Sequence, residues 1–413
     1  NRYTRYAGTG GDRLDSFMKR LLFSVSFGNI NILISGSITK ESRILFRRNI
    51  VEMARTMAPF LDYDHDPYLV IADGRLYWIL DAYTTTDHFP YSTPVQVDRG
   101  RRINYIRNSV KVVIDAYNGT ISYYVTDSND PLARAYSVIF QGLFKNFSDM
   151  PASLQSHIRY PEDMFNIQSG VLLRYHMKDV NVFYNNEDAW DIPNQIYDNS
   201  EERVQSYYLV TKLPRETRSE FILLLPFTPV TRDNMVAFLA AKCDMPHLGE
   251  LTLYRLPKDR LSYGPMQIEA KINQDPEISK QLTLWSQKGT NVIRGNMLVL
   301  PVEESILFVE PLYLKAVSGE IPELRRVSAA FGERIVMEEN LDLALDRLFR
   351  DSGLPPVSSY ASGEKDTSAR DYAAKAYMYF MQAEQYQRQG QWAKYGEEIE
   401  KLRSVLSRMK DLR

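Results

Sequence analysis

Three aspartates alternate in the run Leu61-Asp-Tyr-Asp-His-Asp-Pro67. Side chains of an extended backbone point to opposite faces in turn, so Asp62, Asp64 and Asp66 would share one face. Carboxylate oxygens gathered in that way suit a hard divalent cation such as Ca²⁺ or Mg²⁺. The run lacks the glycine and the distant glutamate of a helix-loop-helix calcium loop. The same spacing also serves turns in which carboxylates accept hydrogen bonds from backbone amides, and both readings stay open here. A metal held by these three residues would bring metal-assisted hydrolysis within reach.

The remaining reactive side chains are scattered. His65 lies inside the acidic run without an evident catalytic partner. Cys243 and His247 stand four apart, but nucleophilic catalysis needs an oriented third group and an oxyanion site, and neither is legible. A buried structural cysteine is the expectation. His88 falls in a polar loop, and His176 falls on a helix predicted over 164–177. Asp127-Ser-Asn-Asp130 before Pro131 reads as a turn and a helix cap. Gly8-Thr-Gly-Gly11 and Ser35-Gly-Ser-Ile-Thr39 lack the strand, the lysine and the spacing of a phosphate-binding loop. Arg43, Arg47, Arg48, Arg101 and Arg102 read as a solvated face. No catalytic residue and no organic cofactor is assigned.

The elements that would position these groups follow from composition and period. The 413 residues are 44% apolar and 25% charged, as in globular chains. Fifty basic residues against fifty-two acidic ones give a net charge of -2, so bulk charge supplies no attraction to nucleic acid. One cysteine excludes an intrachain disulfide and a thiolate cluster. No apolar stretch approaches the roughly 20 residues of a membrane-spanning helix. The polar opening Asn1-Arg-Tyr-Thr-Arg-Tyr6 has no signal-peptide pattern, which fits a mature product or a piece of something longer. Tyrosine is abundant, with 27 residues, and suits half-buried seams or a ligand surface.

Helical spacing predicts helices from Asp12 to Val25, with Asp12 starting it, and from Ser42 to Pro59. Apolar runs around Asp73-Gly74 and around Asn118-Gly119 predict two β-hairpins, the second with a type I′ turn. Pro131, Pro151 and Pro161 each stand where a helix begins. Strands are predicted over 205–210, 221–226 and 251–256, and a capped helix over Thr231–Lys242. Helices over 264–272 and 276–285, strands over 291–300 and 305–309, and a helix over 337–348 follow. Short strands interleaved with helices, without βαβ spacing, give an α+β class with short antiparallel sheets. The expected organisation is a main region over 1–335, divisible near position 200. A helix and Pro/Ser/Gly linker over 336–366 comes next. Over 367–413, the stripe Tyr372, Ala376, Tyr379, Ala383, Tyr386 and a second from Trp392 predict an antiparallel helical hairpin around Gly390.

Whole phrases then carry a resemblance. They include Ser42-Arg-Ile-Leu-Phe-Arg-Arg-Asn-Ile50, Ala58-Pro-Phe-Leu-Asp-Tyr-Asp-His-Asp-Pro67, Asp73-Gly-Arg-Leu-Tyr-Trp-Ile79 and Val125-Thr-Asp-Ser-Asn-Asp-Pro131. Leu256-Pro-Lys-Asp-Arg-Leu261, Leu282-Thr-Leu-Trp285 and Val292-Ile-Arg-Gly-Asn296 extend them. On these the chain resembles the soluble portion of the UPF0182 family, large prokaryotic membrane proteins of unassigned function. The hairpin phrase Val112-Val-Ile-Asp-Ala-Tyr-Asn-Gly119 is also similar to PepSY-type modules.

The resemblance implies a multi-pass membrane protein whose spanning part is the natural partner of this piece, with a protein or envelope ligand as a further partner and no nucleic acid. It implies an extracytoplasmic location and supplies no catalytic residue. The function so implied is binding, assembly or regulation. The alternative is a metal-dependent envelope hydrolase using Asp62, Asp64 and Asp66.

Overall fold

The structure, a computed structural model, describes residues 6–97, 100–259, 261–286, 290–303, 305–316 and 321–350, together with four isolated positions after 378. The expected linker, and all but those four positions of the helical hairpin expected over 367–413, lie outside the described residues. Among the described residues ten α-helices and several short sheets, almost wholly antiparallel, make the fold α+β. Contacts divide the chain into two compact units. The first comprises Asn1–Asn194, Glu202–Gln267 and Pro301–Glu304, and the second Gln195–Glu201, Ile268–Leu300 and Ser305–Arg413. The chain therefore leaves the first unit near position 200 only for a short segment and then returns.

The first unit opens with β1 (Asp12–Arg13), α1 (Phe17–Ser26), α2 (Asn31–Ile34), β2 (Arg43–Ile44) and α3 (Ile50–Met57). Both predicted helices start later than expected. Ser16, not Asp12, caps α1 by accepting from the Lys19 amide. Arg47 adopts a φ of 51°, which stops any helix there, and Asn49 caps α3 by accepting from Val51 and Glu52.

Next come β3 (Asp62–Tyr63), β4 (Tyr68–Ala72), β5 (Arg75–Thr86), the small pair β6 (Val95–Gln96) and β7 (Arg102–Ile103), then β8 (Tyr105–Asp115), β9 (Ile121–Val125), α4 (Pro131–Ile139) and β10 (Phe144–Asn146). They build a sheet of order β10-β9-β8-β5-β3, with β4 also paired to β5. Only the β10–β9 pair is parallel. Both turn residues of the β4–β5 hairpin, Asp73 and Gly74, have positive φ, as a two-residue primed turn demands. The Asn118-Gly119 turn differs from the predicted type I′ form. Asp115 accepts from the amides of Tyr117 and Asn118, so the loop widens and Gly119 alone takes positive φ.

Alternation along β5 and β8 gives this sheet two buried faces. Leu80, Ala82, Val110, Val112, Ile114 and Tyr123 pack with Ala54 and Ala58 of the α3 segment. On the opposite face Ile79, Val113 and Tyr124 meet Leu154 of α5 (Ala152–Gln155). That second face also carries Asp81 and Lys111, both buried.

After α6 (Glu162–Tyr175) and α7 (Val180–Asn185) follow β11 (Trp190–Asp191), the hairpin β12 (Asn194–Tyr197) and β13 (Ser200–Arg203), then β14 (Tyr207–Thr211), β15 (Glu220–Pro229), β16 (Ala237–Lys242) and β17 (Leu251–Arg255). The second sheet has the order β11-β15-β16-β17, with β14 also on β15. The helix expected over Thr231–Lys242 is instead the central strand β16. All six residues of β16 are buried, and a strand covered on both faces reads as an unbroken apolar run, indistinguishable by period from a buried helix. Phe165 of α6 joins Leu223, Leu225, Phe227 and Leu239 in the core of this sheet.

The second unit contains most of α8 (Pro265–Gln274), α9 (Pro276–Ser286), β18 (Thr290–Arg294), most of β19 (Leu298–Val302), β20 (Ser305–Ala316), β21 (Glu323–Phe331), β22 (Arg334–Glu338) and α10 (Leu341–Phe349). Asn340 caps α10, so Met337, expected on that helix, belongs to β22. Within this unit one guanidinium serves two buried carboxylates. Arg294 bonds Glu269 and Asn273, while Glu310 Oε1 lies 3.6 Å from it, beyond hydrogen-bond reach, and both Glu310 oxygens are buried without a hydrogen-bond partner among the described residues. Burial and the neighbouring Glu269 push the Glu310 carboxyl well above the usual range. A raised acid stabilises the fold below its unfolded pKa, and that contribution fades as pH rises through the folded value. Glu310→Gln is therefore expected to raise the unfolding free energy at pH 7 by about 1–3 kcal/mol and to flatten its decline with pH, read by urea denaturation at several pH values.

Candidate functional site

The start of α6 and the acidic run clasp each other. Pro161 at the helix N-cap offers no side-chain acceptor, and Asp64 supplies one from outside by accepting from the Asp163 amide at 3.0 Å. A carboxylate at that end also meets the positive pole of the helix dipole. Asp163 in turn accepts from the His65 amide at 3.0 Å, and its Oδ2 lies 2.6 Å from His65 Nδ1. Tyr83 donates to Asp64 at 2.5 Å, and Asp64 is buried. Burial pushes the Tyr83 phenol far above its ordinary range, which keeps it a donor. Burial, reinforced by Asp64, also raises the Asp163 carboxyl, with His65 acting against the shift.

Beneath the clasp lies a second polar layer. Lys111 and Asp81, facing each other from β8 and β5, form an ion pair with side-chain exposures of 5% and 3%. Burial raises the Asp81 carboxyl, and Lys111 pulls it back. The Arg159 guanidinium is held between the rings of Tyr68 and Tyr208, 4.1 and 4.2 Å from their centroids, and bonds Asp66 at 2.5 Å. Stacking on two rings and pairing with a carboxylate together immobilise this side chain.

Beside the clasp opens a cleft of about 1490 Å³. Its walls are the β3–β5 edge, the 89–97 loop, Arg101 and one side of α6 continuing to Phe183 of α7. The loop is pinned by Asn104, which donates to the carbonyls of Phe89 and Ser92, and by the stacking of Phe89 on Tyr105. Thr93 Oγ1 lies 3.3 Å from the Tyr175 hydroxyl and links the loop to the end of α6. The lining combines Tyr63, Tyr83, Phe89, Tyr91, Tyr175 and Phe183 with Asp62, His65, Arg55, Arg101 and Arg174. Gly170, inside α6, faces this space, and a Cβ built on it meets nothing within 4 Å.

The alternating aspartates are not brought together on one cation. Asp62 accepts from Arg101 and Thr85, each at 2.5 Å, Asp64 from Tyr83 and two backbone amides, and Asp66 from Arg159. Among the described residues no three His, Cys, Asp or Glu side chains stand where they could hold a metal ion. Each of Asp62, Asp64 and Asp66, read from the sequence as a ligand for Ca²⁺ or Mg²⁺, is thus engaged by a separate partner. The strand β3 ends at Tyr63 and the chain bends at His65, so Asp66 does not continue the alternation.

Cys243 is buried, its thiol pushed up by burial to about 11, while His247 turns to Glu220 at 3.0 Å. His176 is buried, stacked on Trp190 at 3.6 Å and set between the carbonyls of Leu172 and Asp188. His88 pairs with Asp87. Asp130 caps α4 as expected. Arg47, Arg48, Arg101 and Arg102 are exposed, as expected, although three of the five arginines are also tied to the fold. Arg43 bonds three carbonyls of the 9–11 segment, Arg48 bonds Ala116, and Arg101 holds Asp62.

The family model described as "Uncharacterised protein family (UPF0182)" matches residues 1–285, which include every residue of the clasp and the cleft. The chain belongs to the UPF0182 family. A UPF0182 protein of Sulfurovum sp. (strain NBC37-1) is 48% identical over 417 residues, covering 99% of this chain and 45% of that protein. One from Geobacter sp. (strain M21) is 50% identical over 416 residues, covering 98% and 45%. One from Bradyrhizobium diazoefficiens is 50% identical over 412 residues, covering 99% and 44%. The chain thus spans just under half the length of the UPF0182 relatives it matches. No solved structure matches it. Among the described residues of this UPF0182 chain no helix is long and apolar enough to cross a membrane.

Proposed function

We propose that this part of a UPF0182 protein is a non-catalytic binding region, placed on the extracytoplasmic side of a membrane protein, that recognises a ligand for the assembly or regulation of the rest of the polypeptide. The observation that carries the reading is the cleft. Its volume of about 1490 Å³ exceeds the roughly 300–1,000 Å³ that suits a drug-sized molecule, so an extended ligand with an apolar body and polar groups fits it best. The polar groups of its wall are already oriented, Asp62 by its ion pair with Arg101 and Asp163 by its hydrogen bond with His65, so little ordering remains for binding to accomplish. The membrane setting is what the phrase-level resemblance implies.

The test uses Gly170. The chain is incubated with a small-molecule extract of a bacterial envelope, separated by gel filtration and analysed by mass spectrometry for released material. Wild type is expected to retain a defined compound, and Gly170→Trp, which projects an indole into the cleft, is expected to retain much less of it. Equal retention by both, or retention by neither, counts against the reading. Gly170→Ala is expected to raise stability by about 0.5–1 kcal/mol in urea denaturation, because glycine weakens a helix interior and the site has room for a methyl group.

A further inference from the structure

We propose that the outward face of α1 and α2 is a docking surface that lies on an anionic lipid bilayer. The apolar stripe of α1 is turned away from its own fold. Met18, Leu22 and Val25, at helical positions i, i+4 and i+7, are 60%, 62% and 74% exposed. The inward side carries the buried Ser24 and Arg20, which bonds the carbonyls of Leu14 and Ile38. Phe27, just before the turn at Gly28, is 47% exposed while also meeting the rings of Phe23 and Phe46, and Ile30 and Ile34 beyond the turn continue the exposed series at 64% and 67%. Single exposed apolar side chains are ordinary, but these six within the seventeen residues from Met18 to Ile34 concentrate exposed apolar surface of the kind that marks an interaction site.

Charge selects the partner. Between positions 12 and 48 seven basic residues stand against three acidic ones, in a chain whose net charge is -2. Arg13, Lys19, Lys40 and Arg47 are exposed there. Leucine, valine, methionine and phenylalanine on one side with lysine and arginine at the margin is the composition of helices that lie in the headgroup layer of anionic membranes. A neutral protein surface would use the apolar stripe and leave the basic excess unmatched.

Cosedimentation of the full 413-residue chain with vesicles tests this. Two kinds are used, phosphatidylcholine alone and phosphatidylcholine mixed equally with phosphatidylglycerol. Binding is expected to the mixed vesicles and to weaken as salt rises, since exposed charges are screened. Leu22→Glu with Val25→Glu is expected to reduce partitioning at least about tenfold while circular dichroism and the thermal midpoint stay at wild-type values, because both side chains face solvent. Lys40→Glu with Arg47→Glu is expected to reduce binding to the mixed vesicles. Failure to sediment with either vesicle, or sedimentation indifferent to the glutamate pair, overturns the proposal. So does a concentration-dependent dimer that the glutamate pair abolishes in the absence of vesicle binding, since the face would then belong to a second copy.

Discussion

Lys111→Met is expected to cost about 3–5 kcal/mol of unfolding free energy at pH 7, because it strands a buried carboxylate. The lysine reaches Asp81 from the neighbouring strand, and no other cation bonds that carboxylate among the described residues. Asp64 adds negative charge nearby. Without the lysine, Asp81 can stay in the fold at lower cost only by taking up a proton. A further rise of its folded pKa adds a stability contribution that is present at acid pH and lost as pH rises, so the penalty should shrink as pH falls toward the ordinary carboxylate range. Urea denaturation at pH 7 and pH 5 reads this directly. Lys111→Met combined with Asp81→Leu should recover most of the loss, since the pair is then replaced by apolar groups of similar size. A double variant as unstable as the single one would show that the pair acts through a different contact.

Asp130→Ala is expected to cost a similar amount, about 3–5 kcal/mol, through a different mechanism. The side chain is fully buried and accepts four hydrogen bonds, from Thr84 at 2.5 Å, Ser109 at 2.6 Å, Tyr105 at 2.8 Å and the Leu132 amide at 3.1 Å. Alanine removes the α4 cap and leaves two buried hydroxyls, on Thr84 and Ser109, to be re-paired. Burial alone would raise this carboxyl, but the bonds from Ser109, Thr84 and Tyr105 together hold it below the usual range. A depressed acid contributes stability above its unfolded pKa, and that contribution is lost as pH falls through the folded value. The thermal midpoint of wild type should therefore drop below about pH 4, and the gap between wild type and Asp130→Ala should narrow there. An unchanged gap at pH 3 would show that the charge of Asp130 is not what the hydroxyls recognise.

These two residues show which parts of the fold were legible. Asp130 precedes a proline in a turn sequence, and a local rule of capping chemistry locates it. Lys111 and Asp81 were missed, although a signal existed. Each interrupts an apolar strand, Val110-Lys-Val and Leu80-Asp-Ala, and opposite charges at such positions on neighbouring strands point to a cross-strand pair. Reading it requires knowing that β5 and β8 are adjacent, which the hairpin signals do not supply, because β5 pairs locally with β4 and β8 with β9. Arg159 between Tyr68 and Tyr208 is further out of reach, since the three come from segments far apart in sequence.

Period misled in two places for opposite reasons. Ala237–Lys242 is apolar on both faces because both are covered, so no alternation marks it as a strand. In α1 the stripe is correctly periodic, yet periodicity does not say which side the rest of the chain covers, and here the stripe faces outward. The acidic run stands beside the cleft, with Asp62 and His65 in its wall. Its three carboxylates take separate partners because alternation fixes side-chain direction only while the strand lasts, and β3 ends at Tyr63.

The central claim is that the space between the 89–97 loop and α6 receives a ligand. Hydrogen–deuterium exchange of the chain, with and without the envelope fraction it retains, tests that claim most directly. Slower exchange confined to the 89–97 loop, the α6 segment and the strand edge at Asp62 is the expected result. An unchanged pattern, or slowing located only away from those segments, would contradict it.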